Sequence, residues 1–101
     1  MMEGNKKVRK LNYQDEAIAF MKRLIRSGKQ TTAKGIKSVL LEVCRIGVEY
    51  SNLEPYSDVK NMYRLHIPAL NKEDGFQQGF RVIIIIMEGH VLATSIGPEY
   101  S

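Results

Sequence analysis

The sequence predicts an α+β fold in the order β-α-α-β-β-β, a helical hairpin packed on one face of a mainly antiparallel sheet. Two stretches before residue 47 repeat apolar residues every three or four positions, which is the period of amphipathic helices. Beyond residue 60 the apolar period drops to two or becomes continuous, as strands require. The links between these later segments are too short for parallel crossovers, so the last three strands form a meander.

Val8 to Tyr13 reads as a short first strand after a polar start at residues 1–6. Asn12 or Asp15 can cap the helix that follows by accepting backbone N–H groups. In that helix Ala17, Ile18, Phe20, Met21, Leu24 and Ile25 form the apolar stripe, and Lys22, Arg23 and Arg26 lie outside it. Gly28 ends it. A second helix starts near Thr31 or Thr32, buries Ile36, Val39, Leu40, Val43 and Ile46, and stops at Gly47. Residues 52–58 read as a turn-rich connector around Pro55. Asn61 to Ile67 is the next strand, with Tyr63, Leu65 and Ile67 on one face and Met62, Arg64 and His66 on the other. Pro68 ends it, and a polar loop spans Asn71 to Gly75. Phe80 to Met87 (FRVIIIIM) is apolar on both faces, which places it centrally and covers it at least in part on both sides. Glu88-Gly89 turns the chain into His90–Ile96, and Gly97-Pro98 closes that strand.

The whole chain, residues 1–101, reads as a single domain. Its one cysteine, Cys44, sits in an apolar helical stretch, which excludes an internal disulfide and marks a small buried residue. No signal-peptide pattern follows the charged start, and the longest apolar run, Val82 to Met87, is far short of a membrane span. These features point to the cytoplasm. Two histidines 24 positions apart and a buried cysteine make no metal set, so neither metal nor other cofactor is expected. The net charge of +4 is unevenly distributed. Residues 1–37 hold ten basic and three acidic side chains, whereas residues 38–101 hold five basic and eight acidic ones. A basic half suits a polyanionic or acidic partner, although exposed lysines that only solvate helices give the same arithmetic.

Three segments carry a family resemblance. MYRLHIP (Met62 to Pro68), GFRVIIIIMEG (Gly79 to Gly89) and VLATSIGPEYS (Val91 to Ser101) resemble, in order and spacing, the RelE/ParE toxin superfamily, and with the helical hairpin the likeness covers roughly residues 7–101. The resemblance implies a bacterial, archaeal or phage toxin of a type II toxin–antitoxin pair, neutralised by a cognate antitoxin protein. RelE-like members are metal-independent endoribonucleases (mRNA interferases) that cleave messages, usually on the ribosome. ParE-like members inhibit DNA gyrase, and a catalytically inert binding or regulatory protein on the same fold is a further alternative.

The resemblance also assigns roles. RelE-like cleavage uses the RNA 2′-OH as nucleophile and needs a base, an acid and cations for the phosphorane. Arg81 matches the strand arginine that contacts the scissile phosphate; its plainer role is an anchor to a carboxylate or carbonyl at the sheet edge. Arg64 and His66 share a strand face, and His66 stands where many relatives carry arginine, so it preserves a cation or supplies an imidazole acid or base. Tyr100 aligns with a C-terminal tyrosine beside the reacting nucleotide, and is otherwise a terminal aromatic. Glu99, a possible base, occupies a position where many relatives are basic. Lys6, Lys7, Arg9, Lys10 and Lys60 are the candidate RNA-phosphate contacts. The tail from Pro98 to Ser101 lacks the paired basic residues common in cleaving members, and the connector from Asn52 to Lys60 holds one lysine.

Overall fold

The computed structural model describes residues 8–100. Nine elements follow one another: β1 (Lys10–Tyr13), α1 (Asp15–Arg26), α2 (Gln30–Ile46), a 3-10 turn (Gly47–Glu49), β2 (Leu53–Pro55), β3 (Met62–Ile67), a second 3-10 turn (Lys72–Asp74), β4 (Phe80–Ile86) and β5 (His90–Pro98). The five strands form one sheet in the order β1-β5-β4-β3-β2. Only β1 and β5 pair in parallel; the other neighbours are antiparallel. The expected α+β order is therefore present, with one strand more than the sequence reading contained. That strand, β2, lies inside the stretch read as a connector and pairs Leu53 with Leu65 and Pro55 with Tyr63 at the sheet edge. An edge is where a proline costs no ladder hydrogen bond on its free side.

Neither Asn12 nor Asp15 caps α1. Gln14 is the cap residue, without a side-chain bond, and Asp15 and Glu16 occupy the first turn, where their charges face the positive end of the helix dipole. The other end behaves as expected. Gly28 adopts φ +78°, Gly28 N–H donates to the Ile25 carbonyl at 3.1 Å and Lys29 N–H to the Leu24 carbonyl at 2.9 Å. This is the paired closure of a Schellman motif, and it turns the chain directly into α2.

Both helices lie on one face of the sheet. Ala17, Phe20 and Leu24 from α1 meet Ala33, Ile36, Leu40, Val43 and Cys44 from α2 over a floor of Leu65, Ile67, Phe80, Val82, Ile84, Ile86, Val91, Ala93 and Ile96. Phe20, Phe76 and Phe80 close one end of this core, with ring centroids 4.8 to 6.4 Å apart in tilted and edge-on contacts. No helix among the described residues covers the opposite face. Ile83 is nonetheless only 8% exposed there, flanked by Arg64 on β3 and Ser95 on β5.

One irregularity sets which residues reach that open face. Ile83 pairs with Ser95, but Ile84 pairs with Ala93, so Thr94 is an extra residue in β5. Its hydroxyl donates to the Ile83 carbonyl at 2.9 Å. Before this bulge Val91 and Ala93 point at the helices; after it, Ile96 does.

Gly79, at the start of β4, ties the final residues to the sheet, since Glu99 N–H donates to its carbonyl at 2.9 Å. It has φ +82°, and a Cβ there would stand 2.1 Å from the Ile67 carbonyl oxygen. Gly79→Ala is expected to lose about 1–3 kcal/mol from the left-handed backbone alone, and more from the clash. Urea denaturation checks it, and an unchanged midpoint would contradict this account.

Candidate functional site

The open face gathers charged side chains at the end of the sheet where β3 finishes and β4 begins. Ladder register places His66 on β3 beside Arg81 on β4, and Arg81 beside Gly97 on β5. One pair further along, Arg64 lies between Glu54 on β2 and Ile83 on β4. Three of the four residues expected to act together, Arg64, His66 and Arg81, thus share one face, because each occupies the outward phase of its strand. Tyr100 follows two residues after β5 and is 76% exposed.

The electrostatics divide the two arginines. Arg64 Nη2 donates to Glu99 Oε2 at 2.9 Å, and Arg64 Nη1 lies 3.6 Å from Glu54 Oε1. His66 Nδ1 lies 3.6 Å from Glu99 Oε1. Arg81 is exposed, and among the described residues no ion pair or hydrogen bond engages its guanidinium. The carboxylate-anchored arginine of this site is therefore Arg64, while Arg81 is the open cation.

Glu99 is the least exposed charged member, with 14% of its side chain open to solvent. Its Oε1 is buried and accepts no hydrogen bond. Desolvation pushes its carboxyl up, but the Arg64 and His66 side chains outweigh that, and the group titrates below the usual carboxylate value. Glu54 gains significance only from the structure, and Glu99, a possible base in the sequence, gains its partners there. Glu54 is placed by the unforeseen strand β2. Glu99 faces the site rather than the core because of the bulge at Thr94. With Arg64 and Arg81 positive and Glu54 and Glu99 negative, the cluster is close to neutral apart from His66. Among the described residues no group of three His, Cys, Asp or Glu side chains is arranged to hold a metal ion.

The candidate phosphate contacts scatter. Lys6 and Lys7 lie outside the described residues. Arg9 donates from Nε to the Met87 carbonyl at 3.1 Å and from Nη1 to the Cys44 carbonyl at 3.3 Å, so its guanidinium joins the end of α2 to the β4–β5 turn. Lys10 is exposed on β1 beside His90, at the far end of β5 from Gly97. Lys10 and Arg81 lie on one face, yet seven residues of β5 and two strand spacings separate them, about 20–25 Å. Lys60 is exposed next to Asn61, whose carbonyl accepts from Ile86 N–H, again at the far end. The cations Lys22, Arg23 and Arg26 belong to α1, on the other side of the sheet. Cys44 is fully buried, and burial pushes its thiol up, against the lowering effect of Arg9.

The lowered Glu99 carboxyl has a definite sign for stability. A depressed folded-state pKa means the ionised form stabilises the fold; that contribution is present above the unfolded value, about 4.3, and is lost as pH falls through the folded value. Melting temperatures followed on acidification from about pH 5 are therefore expected to fall more steeply for the native chain than for Glu99→Gln. Parallel curves would rule this out.

No protein-family model matches the chain, and no curated protein matches it. Among solved structures it is similar to one described as the YoeB dimer from Staphylococcus aureus, at 15% sequence identity. The match covers 93% of this chain and 100% of that one, with a TM-score of 0.66. At such low identity the likeness is one of fold, and it spans the helical hairpin and the sheet together. Among the described residues no helix is long and apolar enough to cross a membrane. The fold that the strand motifs implied, a helical hairpin on one face of a mainly antiparallel sheet, is thus the fold this chain shares with that solved structure.

Proposed function

We propose that this protein is the toxin of a type II toxin–antitoxin pair and acts in the cytoplasm as a RelE-like, metal-independent endoribonuclease on translated mRNA. The observation that carries this reading is the row His66–Arg81–Gly97 on the open sheet face, with the Arg81 guanidinium unengaged and Arg64 two residues from His66. Gly97 presents no side chain beside Arg81, and a Cβ built there would meet nothing within 4 Å, which leaves space for a phosphodiester.

In the proposed reaction the 2′-oxygen attacks the adjacent phosphorus. A bond forms between them, and the bond from phosphorus to the 5′-oxygen breaks. The 2′-OH proton passes to a base, and the leaving 5′-oxygen takes up a proton from an acid. Arg81 neutralises the charge that grows on the phosphorane oxygens. His66, as an imidazole, can hold or give a proton at Nδ1 or Nε2, and Glu99, 3.6 Å from His66 Nδ1, is the carboxylate beside it that can share that work. Tyr100, exposed next to Glu99, offers a ring for a base to stack on. Lys10 and Lys60, at the far end of the sheet, suit contacts to ribosomal RNA or to message several nucleotides away. A cognate antitoxin would neutralise the protein.

A second reading rests on the near-neutral charge of the cluster. With Arg64 committed to Glu99 and Glu54, a gyrase-inhibiting, ParE-like toxin or an inert binding protein on the same fold needs no convergent catalytic face. Induced expression distinguishes them. A ribonuclease arrests translation and produces new mRNA 5′ ends, and Arg81→Ala with His66→Ala together is expected to lower cleavage by about 100-fold or more. Unchanged cleavage in that double variant removes these residues from the site. A DNA-damage response with translation intact supports gyrase as the target, and normal growth supports the inert protein.

A further inference from the structure

The tail after β5 places a carboxylate where a substrate anion would be expected. Glu99 Oε2 accepts from Arg64 Nη2 at 2.9 Å, and its Oε1 lies 3.6 Å from His66 Nδ1. The backbone holds it there through Glu99 N–H to the Gly79 carbonyl. Only 14% of the side chain is exposed, and Oε1 is buried without a hydrogen bond. A carboxylate hydrogen-bonded to the guanidinium and 3.6 Å from the imidazole stands where a phosphate oxygen would sit.

We propose that Arg64 and His66 form a phosphate-group site that Glu99 fills in the free protein, so that the C-terminal tail is a built-in competitor for the site. The inference rests on the ribonuclease reading for the identity of the natural anion, a phosphodiester of RNA, but the site itself is defined by the geometry. The groups that face Glu99 are Arg64 and His66 from β3; Glu54 from β2 shares Arg64, and Arg81 from β4 lies beside His66. An entering phosphate takes over Arg64 Nη2 and adds Arg81, which Glu99 leaves unused. Glu99 is released to solvent beside His66. Glu54, at 3.6 Å from Arg64 Nη1 and 67% exposed, remains to keep Arg64 oriented.

The test compares the native protein with Glu99→Gln, Glu99→Ala and a control, Glu49→Gln, at an exposed residue of the 3-10 turn after α2. The first probe is inorganic phosphate, followed through the His66 ring resonances. The second is a 2′-O-methyl oligoribonucleotide, which lacks the attacking hydroxyl and is bound without being cut, followed by fluorescence anisotropy over a range of salt. Both Glu99 variants are expected to bind phosphate roughly tenfold more tightly than the native chain, with the control unchanged. For the oligonucleotide the log–log salt slope should steepen by about 0.7, the increment for one more neutralised phosphate on a single strand. Melting temperatures confirm folding, and because Gln retains the shape of Glu while Ala removes it, at least one folded variant reports on the site.

If neither Glu99 variant gains affinity for phosphate, the proposal is overturned, whether or not the native protein cuts RNA. If both gain affinity for phosphate while neither binds nor cleaves RNA, the anion site stands and the ribonuclease reading falls.

Discussion

The charged face of this protein depends on one extra residue in β5. A strand sends successive side chains to opposite faces, so without an insertion the odd-numbered residues from Val91 onward would all point at the helices. Glu99 would then be directed into the core. Thr94 breaks the alternation, and the bond from its hydroxyl to the Ile83 carbonyl occupies the place where the ladder is interrupted. The consequence reaches both layers. Ile96 seals the hydrophobic core, while Gly97 and Glu99 come round to Arg81, His66 and Arg64. Core and site therefore share a single register, and neither can be shifted without the other.

The uneven charge along the chain takes on a spatial meaning from the same sheet. Among the described residues, the cations of the first 37 divide among the helical hairpin on one side of the sheet, Lys10 at the far end of the sheet from Arg81, and Arg9, which donates to the carbonyls of Cys44 and Met87. The charged side chains of the open sheet face come instead from the acidic half, where Glu54 and Glu99 offset Arg64. Bulk charge on this chain is a property of the helix layer, whereas the candidate chemistry lies in a nearly neutral cluster. In the proposed reading, long-range attraction of a polyanion and local contact with a scissile group are separable demands, met by different surfaces.

The helices and the meander were legible in the sequence because each is encoded by period and punctuation within a few residues. The stripe from Ala17 to Ile25, the Gly28 stop and the FRVIIII strand are all local signals. What escaped was short or non-local. Strand β2 has three residues and a proline, too few to show alternation, and it exists because β3 offers it an edge. Gln14 caps α1 without a side-chain bond, so no capping residue marks the true boundary. The bulge carries no glycine, and HVLATSI reads equally well as a regular strand. The outward phase of Arg64 and His66 was readable from their spacing, but the partner of Arg64 lies 35 residues away, on a tail whose orientation the bulge decides.

The parts of the site differ in how firmly they are held. Ladder hydrogen bonds from β2 to β5 fix where the side chains start, and a change of register would turn buried isoleucines outward, so the backbone frame is rigid. The ion pairs on top of that frame are partly exposed and contribute little to stability in water, since each exchanges hydration for a screened attraction. The proposed exchange of the carboxylate at Arg64 for a ligand anion would therefore disturb no ladder bond. A rigid sheet carrying exchangeable charges is what a site needs if it must stay folded both when empty and when gripping a phosphate.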